Sequence, residues 1–152
     1  MSDYLVYLGA VGWAHAAWKG DFYPEDLPED WQLSFYNTQF RCVYLPHALW
    51  KNATDAEVAG WLDDTLERFR FVLGAPETFD EQDAAKARRF GERGIAESQL
   101  DIVWLEGEAD LRELARRMQK AAHGGAPLYV ISRDGALAQL RQAGQLMEVL
   151  GV

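Results

Sequence analysis

The chain has 152 residues, 49% hydrophobic and 26% charged, with 24 acidic against 15 basic side chains and a net charge of −9. This length fits one domain, since domains cluster near ~100–150 residues, and the apolar content is too high for a disordered chain. No apolar run nears the ~20 residues that cross a bilayer, no signal peptide is read, and the acidic balance argues against nucleic acid as a partner.

Residues 4–8 are β-branched and aromatic, end at Gly9 and Gly12, and read as a buried first strand. Residues 13–30, with Gly20, Pro24 and Pro28, form a long irregular connection of the kind that is often functional. Residues 28–40 read as a helix: Pro28 suits a first turn, and Trp31, Phe35, Tyr36 and Phe40 share a stripe. Residues 41–45 form a second strand, stopped by Pro46. Thr54 and Glu57 have capping-box spacing, so a helix starts there and carries Val58, Trp61, Leu62, Leu66 and Phe69 on one side. Residues 69–75 are a third strand, ended by Pro76, and residues 80–90 a polar surface helix broken by Gly91 and Gly94. Residues 100–105 are a fourth strand. A helix over 110–122 turns Leu111, Leu114, Ala115 and Met118 to one face and closes at Gly124-Gly125. Residues 128–131 are a fifth strand, and the last helix, from about 135 to 150, turns Leu137, Leu140, Met147 and Leu150 inward.

Strand then helix, five times over, predicts one α/β domain over residues 1–152 with an all-parallel sheet and right-handed crossovers. The near-continuous apolar strands fit a sheet covered on both faces. The lone Cys42 lies in an apolar stretch and forms no internal disulfide; it reads as a buried, inert thiol in a reducing, cytoplasmic compartment.

The run Gly12-Trp13-Ala14-His15-Ala16-Ala17-Trp18-Lys19-Gly20-Asp21-Phe22-Tyr23-Pro24 is specific. It resembles the opening of the YecE-like family, domain of unknown function 72. The likeness continues through Leu27-Pro28, Trp31, Phe35-Tyr36 and the segment 40–43, and Pro76 matches a proline that ends the family's third strand. Arg133 stands where the family has an arginine at the end of its fifth strand. Family members are similar to eight-stranded βα barrels, so the resemblance implies a truncated TIM barrel here, with an open doubly wound sheet as the alternative. Five units of roughly 25–30 residues fall short of the ~250 residues of a full barrel.

The departures from the family bear on chemistry. After its second strand the family carries Glu-x-Asn-x-Thr-Phe-Tyr. Here Tyr44, Pro46 and Ala48 replace the carboxylate, amide and hydroxyl, and Gly74 replaces a lysine two residues before the proline of the third strand. A carboxylate and an amine at neighbouring strand ends suit acid–base work, so their joint loss argues against a family activity.

Ligands of parallel α/β folds sit at the C-terminal ends of strands. The ligand-binding candidates there are Trp13, His15, Trp18, Tyr44, His47, Glu77, Glu106 and Arg133, with Asp134 beside the last. Trp13, Trp18, Phe22, Tyr23 and Trp50 read chiefly as packing under the 13–30 loop, and His123 as a helix C-terminal residue. No serine elbow, P-loop or CxxC pair is present. No metal and no cofactor is expected. The resulting expectation is a cytoplasmic protein without robust catalysis, acting by ligand binding or self-association. The alternative is a small hydrolase or lyase for a phosphorylated or sugar-like substrate, with or without metal, built on His15, His47, Glu77, Glu106 and Arg133. A five-stranded sheet cannot close, so a homodimer is expected through an open edge, the first strand or residues 128–131.

Overall fold

The computed structural model describes residues 4–108 and 110–152. In chain order the elements are β1 (Val6–Val11), α1 (Gln32–Gln39), β2 (Cys42–Leu45), α2 (His47–Asn52), α3 (Asp55–Asp63), β3 (Arg70–Leu73), α4 (Glu81–Arg88), β4 (Gly94–Ala96), β5 (Asp101–Leu105), α5 (Leu111–Gly124), β6 (Leu128–Ser132) and α6 (Leu137–Leu150). All strand pairs are parallel, in the order β4-β3-β2-β1-β6-β5. The expected parallel α/β sheet is therefore present, with six strands where the sequence suggests five. The additional strand is β4, whose three residues pair with β3 from Phe71↔Gly94 to Leu73↔Ala96. It carries one large apolar residue, Ile95, too little for a periodic signal. Gly94 is required there, because a Cβ would fall 2.5 Å from the Cβ of Phe90.

The sheet is curled. In a flat sheet, β4 and β5 at opposite edges would stand five spacings apart, about 24 Å at ~4.8 Å each. Residues 97–100 alone connect them, and five Cα–Cα steps reach at most ~18 Å. The two edges must therefore approach each other. A second observation agrees: the rings of Tyr44 on β2 and Trp104 on β5 meet at 5.1 Å, although three strand spacings separate those strands. The result is a half-barrel whose gap is bridged by the chain itself.

The alternation of the strands sorts the core into two layers. Val6, Leu8 and Ala10 of β1, with Val43, Leu45, Phe71, Leu73, Leu128 and Val130, face outward onto the helices. Tyr7, Cys42, Val72, Tyr129 and Ile131 fill the concave side, with Tyr44, Ile95, Ile102 and Trp104 packed against them. Tyr7 and Tyr129, paired in register, stack at 4.5 Å. Gly9 lies between them and Val11 because a Cβ would come within 2.0 Å of the Cys42 carbonyl oxygen.

Two edge expectations are corrected. β1 is hydrogen-bonded to β2 and β6, and β6 to β1 and β5, so neither is an edge. The last strand wraps round to pair with the first, as the final strand of a closed barrel does, and the open edges are β4 and β5. Trp31 is 63% exposed rather than part of the α1 stripe. Residues 29–31 form a 3₁₀ turn of three residues per turn, which swings it off that face. The capping box at Thr54 and Glu57 is present in both directions.

Candidate functional site

The C-terminal ends of the strands share one rim, and Tyr44 lies at its centre. Its phenol occupies the volume above Gly74, where an added Cβ would meet the Tyr44 hydroxyl at 2.6 Å. The hydroxyl donates to Glu97 Oε1 at 2.8 Å, and the same oxygen accepts the Ala75 N–H at 2.7 Å. Burial, reinforced by the hydrogen bond and negative charge of Glu97, pushes the Tyr44 pKa up to about 12, against a smaller opposing effect of Arg133. The phenol therefore keeps its proton at neutral pH and acts as a donor.

Across the mouth, the Tyr44 ring meets Trp104 edge-on at 5.1 Å. The guanidinium carbon of Arg133 lies 4.0 Å from the centroid of Trp104, and Arg133 Nε donates to Glu106. Stacking on an aromatic face and a carboxylate partner hold this cation in one orientation. Arg133 and Glu106 are both exposed.

The loop after β1 fixes the turn that carries Arg133. Trp18, fully buried, donates from Nε1 to the Gly135 carbonyl at 2.7 Å. The His15 ring lies against Gly135, leaving no room for a Cβ there, and its Nε2 is 2.8 Å from the Val11 carbonyl oxygen. Gly135 takes a positive φ of 71° and donates its N–H to Ser132 Oγ at 3.0 Å. Trp13 is half-buried edge-on against Trp61 at 5.2 Å, and its carbonyl accepts the Tyr23 hydroxyl. The aromatic run of residues 13–23 thus supports the rim.

His47 lies elsewhere. Its Nε2 is 2.6 Å from Asp83 Oδ1, and Lys51 Nζ is 3.2 Å from the same oxygen. Asp83, 1% exposed, also accepts the Asp80 N–H while Asp80 caps α4 in return. That backbone bond, then the bonds from His47 and Lys51, hold the Asp83 carboxyl well below the usual carboxylate range. The cluster ties α2 to α4. Glu77 is exposed.

Of the sequence candidates, Tyr44, Glu106 and Arg133 share the mouth, with His15 and Trp18 bracing the Arg133 turn and Trp13 bracing the loop. His47 and Glu77 do not join them. Nothing in the sequence singles out Glu97, Trp104 or Asp83. Glu97 follows the unrecognised β4, and Trp104 reads as one more apolar strand residue. Among the described residues no group of three or more His, Cys, Asp or Glu is placed to hold a metal ion, and no helix is long and apolar enough to cross a membrane. A cleft of about 780 Å³ also runs between the β1 loop and α3, lined by Trp13, His15 and Trp61 among others.

The model of a family described as a protein of unknown function, DUF72, matches residues 7–99. The chain belongs to the DUF72 family. This is the family that the Gly-Trp and Phe-Tyr-Pro residues resemble. No curated protein matches the chain. Among solved structures it is similar to a DUF72 family protein of Thermotoga maritima, at 15% identity and a TM-score of 0.63, over 98% of this chain and 100% of that one. At that identity the likeness speaks for the fold. The segment matched as DUF72 runs from β1 through β4 to Gln99 and contains Tyr44, Gly74 and Glu97.

Proposed function

We propose that this DUF72 protein works by binding a small anionic molecule at the mouth of the half-barrel, through a phosphate or carboxylate group, rather than by turnover. The observation that carries the reading is Arg133, a cation held on the face of Trp104 at the C-terminal end of β6 in a chain of net charge −9. Its only anionic partner among the described residues is the exposed Glu106. A bidentate ligand anion displaces an exposed carboxylate at little cost, since surface ion pairs contribute ~0–1 kcal/mol. The Trp104 ring, which carries Arg133, also meets the ring of Tyr44, whose O–H is committed to Glu97. Of the five side chains that a hydrolase or lyase reading requires, Glu106 and Arg133 are joined to each other while His47 is tied to Asp83, which favours binding over catalysis. A reducing cytoplasmic setting accords with Cys42, whose thiol is fully buried and pushed up by that burial.

The test is a titration of tryptophan fluorescence with inorganic phosphate, ribose 5-phosphate and citrate. At least one ligand saturates the signal in the native protein, and Arg133→Gln abolishes the response without lowering the melting temperature. If all three leave the signal flat at millimolar concentration, or if Arg133→Gln binds equally well, the reading is wrong.

A further inference from the structure

β5 is the one long strand of the sheet left half-covered. All five residues of β6 are buried, whereas Ile102, Val103 and Trp104 of β5 are only partly so. Arg133 N–H donates to the Leu105 carbonyl. Backbone groups alternate along a strand, so Asp101, Val103 and Leu105 turn theirs toward β6, while Ile102 and Trp104 turn theirs outward. Among the described residues, neither Ile102 nor Trp104 makes a backbone hydrogen bond on that outer side. The strand has no lysine, proline or bulge to protect it. The other edge, β4, is three residues long and is enclosed by 3₁₀ turns at 91–93 and 97–99.

The charges beside β5 are arranged by end. Glu106, Glu108, Asp110 and Glu113 cluster where β5 finishes and α5 begins, joined there by Arg112. Arg116, Arg117 and Lys120 follow along α5 toward the start of β5, where Arg117 pairs with Asp101 at 2.6 Å. With Arg133 on Glu106 and Arg116 on Glu113, the finishing end keeps a small acidic excess, while Arg117 and Lys120 against Asp101 leave the starting end basic. A two-fold axis, the commonest symmetry of oligomers, reverses one edge against another and sets acidic end beside basic end.

We infer that β5 is the interface of a homodimer, pairing antiparallel with β5 of a second copy about a two-fold axis at Val103. In that register Ile102 and Trp104 lie opposite Trp104 and Ile102 of the second copy, and their four outward N–H and C=O pairs form four hydrogen bonds. Val103 faces its own copy in the intervening non-hydrogen-bonded pair, with Cα atoms ~4.5 Å apart. Ile102 beside Trp104 is a favourable β-branched–aromatic pair. Arg117 meets Glu106 and Glu108 of the second copy. The inference rests on the open edge of β5 and not on the anion-binding reading, although Trp104 and Glu106 belong to both.

Sedimentation equilibrium of the full chain at about 100 μM, a concentration that populates a micromolar dimer, gives twice the 17.2 kDa chain mass. Under oxidation Val103→Cys forms a covalent dimer, because the pair falls within disulfide reach, while Ile95→Cys on β4 does not. The native thiol, Cys42, is fully buried and silent. Arg117→Glu weakens the dimer at least tenfold, and adding Glu108→Arg restores it, a rescue that holds even if Val103→Cys fails to fold. A single 17.2 kDa species at that concentration overturns the inference. So does cross-linking at Ile95→Cys instead, or a dimer unchanged by Arg117→Glu.

Discussion

The Tyr44 phenol and Gly74 occupy one volume, and substituting either perturbs the other. A methyl at Gly74 would stand 2.6 Å from the Tyr44 hydroxyl and 3.0 Å from both Tyr44 Cζ and the Leu45 carbonyl oxygen. To restore ordinary contact the phenol must retreat by roughly 0.8 Å, and its 2.8 Å bond to Glu97 then stretches beyond hydrogen-bond range. Overpacking of this kind costs ~1–3 kcal/mol. Losing a half-buried bond to a carboxylate adds about 1 kcal/mol, below the ~1.5–3 kcal/mol of fully desolvated charged bonds. Gly74→Ala is therefore expected to destabilise by about 2–4 kcal/mol. Tyr44→Phe alone costs about 1 kcal/mol, since Glu97 keeps the Ala75 N–H. With the hydroxyl gone, the closest clash and the bond are both removed before the methyl arrives, and the Leu45 contact is common to both backgrounds. The double mutant is then more stable than the sum of the singles predicts, by about 1 kcal/mol or more. Urea unfolding followed by tryptophan fluorescence measures all four corners of the cycle. Additivity within ~0.5 kcal/mol would refute the shared-volume account.

Trp18→Ala is expected to cost ~3–5 kcal/mol, as for other buried aromatics, and the half-buried Trp13→Ala clearly less; equal shifts in melting temperature would contradict this. Stability is also expected to fall on both sides of neutrality. The raised pKa of Tyr44 means that the unfolded state loses its proton first, so its contribution is intact below pH 10 and is lost as pH rises toward about 12. The lowered Asp83 value means that its contribution is intact above its ordinary value of 3.8 and is lost as pH falls below it. Tyr44→Phe reduces the alkaline limb without removing it, because burial also raises Tyr23, Tyr36 and Cys42, and Asp83→Asn flattens the acid limb in pH-dependent denaturation; an alkaline limb unchanged in Tyr44→Phe, or an acid limb unchanged in Asp83→Asn, refutes the assignment.

Much of the local structure was legible from residue patterns. The apolar runs at 4–8, 41–45, 69–75, 100–105 and 128–131 marked five of the six strands, because strands buried on both faces read as continuous apolar segments. Thr54 with Glu57 located the start of α3, and Gly125 ends α5 in the left-handed conformation that a glycine adopts without strain. β4 was illegible because three residues with one large apolar side chain carry no period. The site was partly legible: Tyr44, Glu106 and Arg133 stand where strand ends are expected, but Glu97 and Trp104 become neighbours of Tyr44 only when the sheet curls.

The elements, their parallel direction and the aromatic loop after β1 follow from residue patterns alone, since spacing, capping and strand–helix alternation are local properties of the chain. Strand order was decided only in three dimensions. Chain order suggested that the last strand lies at an edge, yet β6 is inserted between β1 and β5 because its side chains match those of β1 in register, with Tyr129 on Tyr7, and are buried on both faces. A continuous apolar strand presents two similar faces and two similar sides. Which face becomes concave, and which side remains open, follows from how six strands share one core, and no single segment contains that information.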